Sequence, residues 1–362
     1  MTDLDTLSVN TIRGLCTDAV QKANAGHPGT PMGMAPVAHT LWQRFLRLDP
    51  ADPVWPHRDR FVLCEGHASA LLWSLPHLTG VRTVDPRGEV LGRPAVTLDD
   101  LKSFRQIGSR CPGHPEYPWT SGVETTTGPL GQEVATSVGM AVAGRWLGAG
   151  FSRGDFTLFD FGGYALAGDG CTMEGVSAEA ASLAGRLQLS NPCWIYDSDR
   201  VTIDGHTDIA FTEDVGASRA FHTCRAESER PPLVLVHSPI GYSTVEDPPK
   251  AHGTPFGPEG SHQARPRIPP DADFHVPDGV PDRFARGIGA RGAGLRTAWE
   301  RTFDACRSAL PAFPADPKGL ASRDPSGQVL DAVAEAVPWF LGGPADLTPS
   351  TKTRLTFAGA RG

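Results

Sequence analysis

Between Leu7 and Ala23 the apolar positions Ile12, Leu15, Cys16, Ala19, Val20 and Ala23 return every three or four residues, the spacing that turns one face of a helix into a core. Gly26 follows where a helix C-terminus favours glycine, so an amphipathic helix running into a glycine-rich loop is expected. The pattern then changes period. FTLFDFGGYALA (156–167), CWIY (193–196) and LVLVHS (233–238) are near-continuous apolar runs of strand length. An alanine- and leucine-rich helical pattern from Glu174 to Leu187 separates the first two. Strands buried on both faces and alternating with helices predict an α/β domain, a parallel sheet with helices on both sides. In such sheets ligands bind at the carboxyl ends of the strands.

After Gly253 the texture changes: Pro255, Pro258, Pro266, Pro269, Pro270, Pro277 and Pro281 crowd among glycines, as in a linker. The organisation expected is a first domain over residues 1–260, a Pro/Gly-rich linker with one helix (293–308) over 261–320, and the short start of a second domain over 321–362. That last part carries a further helical pattern, 325–336, and the apolar stretch PWFLGG.

Composition narrows the function. A chain of 362 residues, 40% hydrophobic, has core material for roughly two domains. Its net charge of -8 argues against nucleic acid or an anionic membrane as the main partner. Seven scattered cysteines without a CxxC spacing fit neither a disulfide framework nor a zinc site. MTDLDTLSVN lacks the basic start and apolar centre of a signal peptide, and no apolar run has the length of a membrane span; a soluble, cytoplasmic protein is expected.

Candidate chemistry gathers in glycine-bordered turns. LAGDGCTMEG (166–175) places Asp169 between two glycines after a buried run, where it can either cap the next helix or hold a hard cation. Thirty residues on, YDSDRVTIDG supplies a second oxygen cluster after CWIY, and two neighbouring strand ends can share one metal beside a phosphate. The same DSDRV admits a rival, the aspartyl nucleophile of haloacid-dehalogenase-type phosphatases, although the paired aspartates that family needs downstream are absent. His27 (AGHPG), His67 (CEGHAS), His114 (PGHPE) and His252 (KAHGTP) lie in probable loops, and four such imidazoles suggest a cleft that binds or moves protons near neutral pH. GVETTTGPLGQ (122–132) is a further turn able to bring backbone close to a flat ligand.

These stretches, with DAVQKANAGHPGTPMGMA, RDRFVLCEGHAS, FRQIGSRCPGHPE, AHGTPFG and FLGGPADLTPS, occur in the order found in transketolases, and the chain resembles the N-terminal, thiamine-diphosphate-binding part of that family over most of 1–260 and again 320–350. The resemblance implies the thiamin diphosphate-binding fold and a two-carbon ketol transfer between sugar phosphates. It implies thiamine diphosphate held through Mg²⁺ or another divalent cation such as Ca²⁺ or Mn²⁺. By the same correspondence Asp169, Asp199 and the carbonyl of Val201 resemble the metal ligands. Gly170 resembles the glycine beside the diphosphate, while Gly128, Pro129, Leu130, Glu174 and His67 resemble residues around the cofactor. His27 and His252 resemble the proton handlers, with His252 also at the cofactor, and His27, His114 and His252 line the substrate channel. Arg323 and Ser350 resemble the residues that take the substrate's terminal phosphate, where a guanidinium binds two oxygens at once.

Departures are expected to matter. Asp199 stands where the family has asparagine, adding charge beside a diphosphate. Glu133 stands where it has glycine, at a helix start that welcomes a carboxylate but with a side chain expected to crowd the cofactor turn. Between AFTEDVGASRAF and HTCRAESERPPLVLV the segment that in the family forms a strand and part of a helix is expected to be missing, leaving the sheet one strand short. The resemblance ends early in the pyrimidine-binding domain, before the glutamate that activates the cofactor. The chain is therefore expected to act as a homodimer or as a hetero-oligomer with a pyrimidine-domain chain, or else to be a truncated inactive paralogue that binds cofactor or a partner.

Overall fold

A computed structural model describes residues 2–152, 157–211, 230–242, 248–269 and 271–307. The chain forms two compact units, one of Met1–Gly144 with Phe161–Arg296 and one of Arg145–Asp160 with Thr297–Gly362. In chain order the elements are α1 (Asp3–Ala23), α2 (Gly29–Thr40), β1 (Arg60–Leu63), α3 (Ser69–Thr79), β2 (Arg82–Val84), β3 (Val90–Pro94), α4 (Leu98–Lys102) and α5 (Gln132–Phe151). They continue as β4 (Gly163–Gly168), α6 (Asp169–Thr172), α7 (Gly175–Arg186), β5 (Pro192–Asp197), β6 (Val201–Thr202), β7 (Gly205–His206) and β8 (Leu233–Val236). Four helices close the described chain: α8 (Pro248–Gly253), α9 (Gly257–Gln263), α10 (Val280–Phe284) and α11 (Ala290–Arg307).

The main sheet of the first unit runs β1-β4-β5-β8, every neighbouring pair parallel, with Leu63 opposite Leu166, Gly168 opposite Asp197 and Asp197 opposite Val236. Alternation along β4 explains how it is covered twice. Tyr164 and Leu166 enter a cluster with Ile12, Leu15 and Leu71 from α1 and α3, whereas Ala165 and Ala167 enter another with Val134 and Val138 of α5 and Ala180 of α7. Helices thus lie on both faces of the sheet, as the expected α/β class requires.

Three local departures have physical causes. The first helix ends not at Gly26 but at Asn24, which adopts the left-handed conformation (φ 47) and donates its N–H to the last turn; Gly26 serves a close approach, since a Cβ there would lie 3.0 Å from Val20. The apolar run 156–167 gives a shorter strand, β4, because Asp59 accepts the Gly162 N–H at 2.7 Å just before the ladder begins and Phe161 instead packs under the Arg60 guanidinium, 4.0 Å away. Residues 261–296 are not linker-like: Phe274, Val280, Phe284 and Ile288 join the cluster that includes Ile12 and Leu15. Arg265, 1% exposed, holds this stretch to α1 by donating to both carboxylate oxygens of Asp18 at 2.8 Å. Proline there limits helix length but not burial.

The second unit includes a small aromatic contact in which Trp299 stacks on Phe303 and donates its Nε1–H to the Leu158 carbonyl at 2.8 Å. Among the described residues no helix is long and apolar enough to cross a membrane. The helical pattern 325–336, PWFLGG, and the candidates Arg323 and Ser350 lie outside the described residues, as does most of the shortened segment between Phe211 and Arg230.

Candidate cofactor site and active site

The carboxyl ends of β1, β4 and β5 bring acidic side chains together. Glu65 follows β1, Asp169 follows β4, and Asp197 and Asp199 end and follow β5. Asp169, 4% exposed, does not cap a helix. Its Oδ2 accepts the Arg200 N–H at 2.7 Å and its Oδ1 accepts the Tyr196 hydroxyl, so the carboxylate pins the loop after β5 and faces the cavity. Asp199 accepts the Val201 N–H at 2.9 Å. Burial, eased by that amide and reinforced by the neighbouring Asp169, pushes Asp199 up to about 7. Burial and the same carboxylates raise Glu65 and Asp197 well above the ordinary range. The Glu65 approach depends on Gly168, because a Cβ at that position would meet Glu65 Oε1 at 2.1 Å.

Carboxylates crowded this closely are relieved by protonation or by a compensating cation, and an all-oxygen set suits a hard one. Among the described residues no three His, Cys, Asp or Glu side chains converge enough to hold a metal by themselves. Two carboxylates and the Val201 carbonyl would leave the remaining positions to diphosphate oxygens and water, so the residues fit a cation bound jointly with a diphosphate. The phosphatase reading is not favoured. Its nucleophile would be Asp197, which is 1% exposed, accepts the Ser238 hydroxyl at 2.6 Å and does not reach the cavity.

The opposite wall is the turn before α5. Gly128 has φ 150, open to glycine, and a Cβ there would sit 3.4 Å from the His114 ring. Leu130 packs 3.0 Å from where a Gly170 Cβ would be, so glycine at 170 keeps the floor open. Gly128, Leu130, Gly170 and Glu174 line the cavity; Pro129 is exposed and does not. Glu174 is the N-cap residue of α7 without a side-chain cap bond, leaving its carboxylate uncommitted to the helix. Glu133 does not crowd the turn as expected from its size. It is 1% exposed and its Oε1 accepts the Gly128 N–H at 2.8 Å.

Above these groups stand the histidines. The ring centres of His27 and His67 are 4.9 Å apart, of His67 and His252 5.0 Å, and of His27 and His252 5.6 Å. His27 Nδ1, His67 Nε2 and His252 Nδ1 are buried without a hydrogen-bond partner among the described residues. Burial, then His252, Arg105 and His114, push His27 down to about 4. Burial also lowers His67, His114 and His252. Four imidazoles neutral at pH 7, three carrying an uncommitted ring nitrogen, can accept, donate or relay protons of a bound polyhydroxyl substrate.

One cavity of about 670 Å³ therefore collects His27, His67, His114, Asp169, Asp199 and His252. Every sequence candidate among the described residues is at it or, in the case of Pro129, in the turn that forms its wall. Sequence reasoning missed Glu65 as a site residue although it lies inside the quoted CEGHAS motif. It also missed Ile203, Asp204 and His206, which the β6–β7 ribbon presents to the cavity; alternating residues around the glycine of IDGH were the available signal.

The sequence matches the family model for the thiamine diphosphate binding domain of transketolase over residues 4–218 and 216–323. It is 39% identical to a transketolase of Geobacillus stearothermophilus, over 98% of this chain and 58% of that protein. It is likewise 39% identical to transketolase 1 of Saccharomyces cerevisiae, over 98% and 57%. Among solved structures, a Pichia stipitis transketolase in complex with sedoheptulose-7-phosphate superposes with a TM-score of 0.79 at 35% identity, covering 98% of this chain and 57% of that one. Leishmania mexicana transketolase superposes with a TM-score of 0.78 at 36% identity and the same coverage. The chain spans a little under three fifths of the length of these relatives.

Proposed function

Because this chain belongs to the transketolase family, we propose that its cavity binds thiamine diphosphate through a divalent cation and serves the transfer of a two-carbon ketol unit between sugar phosphates. The observation that carries this reading is the pairing, across one cavity, of two adjacent carboxylates with three neutral, uncommitted imidazoles. Asp169, Asp199 and the Val201 carbonyl take the cation, and Gly170 leaves room for the diphosphate. The Gly128–Leu130 turn would meet the aminopyrimidine, and Glu174 and His67 would contact the cofactor. When bound, the cofactor supplies the electron sink for carbon–carbon cleavage.

The protein's own work is to place protons. His27 and His252, neutral and half-buried, accept and return hydroxyl protons of the sugar, and His114 orients the chain of hydroxyls from the turn side. Arg323 and Ser350 are proposed for the substrate's terminal phosphate. The remaining wall, with the carboxylate that activates the pyrimidine, is assigned to the rest of a homodimeric or hetero-oligomeric assembly that includes a pyrimidine-binding domain.

A coupled assay with a ketose phosphate donor and an aldose phosphate acceptor tests this in the assembly containing a pyrimidine-binding domain, with Mg²⁺ and thiamine diphosphate present. Transfer is expected, falling by about 10²–10⁴-fold in His27→Ala or His252→Ala. A complete assembly that binds cofactor yet transfers nothing would overturn the proposal.

A further inference from the structure

We propose that Glu133 is a positioning residue that holds the Gly128–Gly131 turn in its ligand-ready shape before any ligand arrives. The backbone of this turn is pulled in two directions. The Thr127 N–H donates to the Pro115 carbonyl at 3.0 Å, whereas the next N–H, of Gly128, donates to Glu133 Oε1 at 2.8 Å. Among the described residues no backbone carbonyl takes the Gly128 N–H, and the chain at residue 66 lies close to it: a Cβ on Gly66 would stand 3.0 Å from the Gly128 nitrogen. The His114 ring covers the other side. Residue 128 is half-buried at the cavity wall, where an amide shielded from water is costly to leave unpaired, and its acceptor is a side chain.

Glu133 is well placed to be that acceptor. It sits in the first turn of α5, one position inside the start of the helix, and is 1% exposed. Its own helix fixes its backbone, since Gln132 N–H reaches the Pro129 carbonyl at 3.3 Å and Val134 N–H the Gly131 carbonyl at 3.2 Å. On the far side Gly131, with φ 86, lies against Glu174 and Ser177, where a Cβ would meet Glu174 Cβ at 2.5 Å. The turn is thus held at both ends, by packing against Glu174 and Ser177 at Gly131 and by the Glu133 hydrogen bond at Gly128. The second oxygen of Glu133, Oε2, is buried without a hydrogen-bond partner among the described residues. A side chain kept in that state for the sake of one amide acts on the turn and not on α5 alone.

This inference rests on the reading that the turn meets the aminopyrimidine of the cofactor, and two measurements separate the two claims. In the cofactor-free protein, amide hydrogen exchange at Gly128 is compared for wild type, Glu133→Gln, which keeps an acceptor, and Glu133→Met, which keeps length but not the acceptor. Gly128 should stay protected in the first two and exchange at least about tenfold faster in the third, with Ala165 in β4 unchanged. Calorimetric titration of thiamine diphosphate with Mg²⁺ should then show the Gln variant within about threefold of wild type and the Met variant weaker by at least about tenfold. Wild-type protection and affinity in Glu133→Met would overturn the proposal, as would faster exchange with unchanged affinity. Failure of wild type itself to bind cofactor would overturn the cofactor reading, while the exchange data alone would still decide whether Glu133 holds the turn.

Discussion

His27 stands within 6 Å of two other imidazoles, and the cost of burying its charge, added to the repulsion from His252, keeps its ring neutral well below physiological pH. Its proton resonances should titrate with a midpoint at about 4, and a midpoint at the ordinary 6.5 would contradict the burial shown here. The sign for stability follows. Between pH 6.5 and about 4 an unfolded chain takes a proton at residue 27 that the folded chain refuses, so the ring's contribution is complete above 6.5 and declines as pH falls. Asp199 invites a different comparison. Burial and the neighbouring Asp169 push it up to about 7, so above that pH its carboxylate repels diphosphate whenever the cation is absent, by a few kcal/mol at about 4 Å and an effective dielectric near 20 before screening. Asp199→Asn should therefore bind thiamine diphosphate with a weaker dependence on Mg²⁺ concentration; superimposable metal titrations of the two proteins would refute the repulsion. Asp169 was legible because its GDG turn after an apolar run is followed thirty residues on by a second oxygen cluster, and the histidines because four of them recur in glycine-bordered turns. Glu65 was not, since an acidic residue past a strand reads as surface, and its burial depends on the missing Cβ of Gly168 on a different strand.

At the scale of elements, periodicity found α1, α7, α11 and the cores of β4, β5 and β8, and it misjudged what proline means. The prolines after Gly253 suggested a linker, yet the stretch carries Phe274, Val280 and Phe284 into the core and fastens itself to α1 through Arg265 and Asp18. A local pattern cannot report a partner 247 positions away. The strand β1 escaped notice because it opens on Arg60 within the charged stretch RDR and runs almost at once into Glu65, so its apolar run is masked by charge on both sides. Removing one member of the buried pair tests the docking. Asp18→Ala leaves the Arg265 guanidinium, 1% exposed, without its main acceptor and frees the Phe274 N–H. Such losses cost about 3–5 kcal/mol. Denaturant unfolding should show a loss of that order, with increased hydrogen exchange across α9 and α10. A change below about 1 kcal/mol, as for surface pairs, would mean that apolar contacts alone hold the stretch.

For the whole molecule, the order of motifs revealed the family, while the arrangement of strand ends explains why those motifs are scattered. Residues 67, 169 and 199 reach one cavity because the parallel strands β1, β4 and β5 deliver their carboxyl ends to the same edge of the sheet, and segments outside the sheet bring residues 27, 114, 128 and 252 to it. In the proposed function a cation on Asp169 and Asp199 ties a diphosphate to that edge. Isothermal titration of the purified protein with thiamine diphosphate, in saturating Mg²⁺ and again after chelation, tests it most directly, with Asp169→Ala run alongside. Saturable binding is expected with the metal, none after chelation, and none in Asp169→Ala under either condition. Equal binding with and without the metal, or undiminished binding by Asp169→Ala, would contradict it.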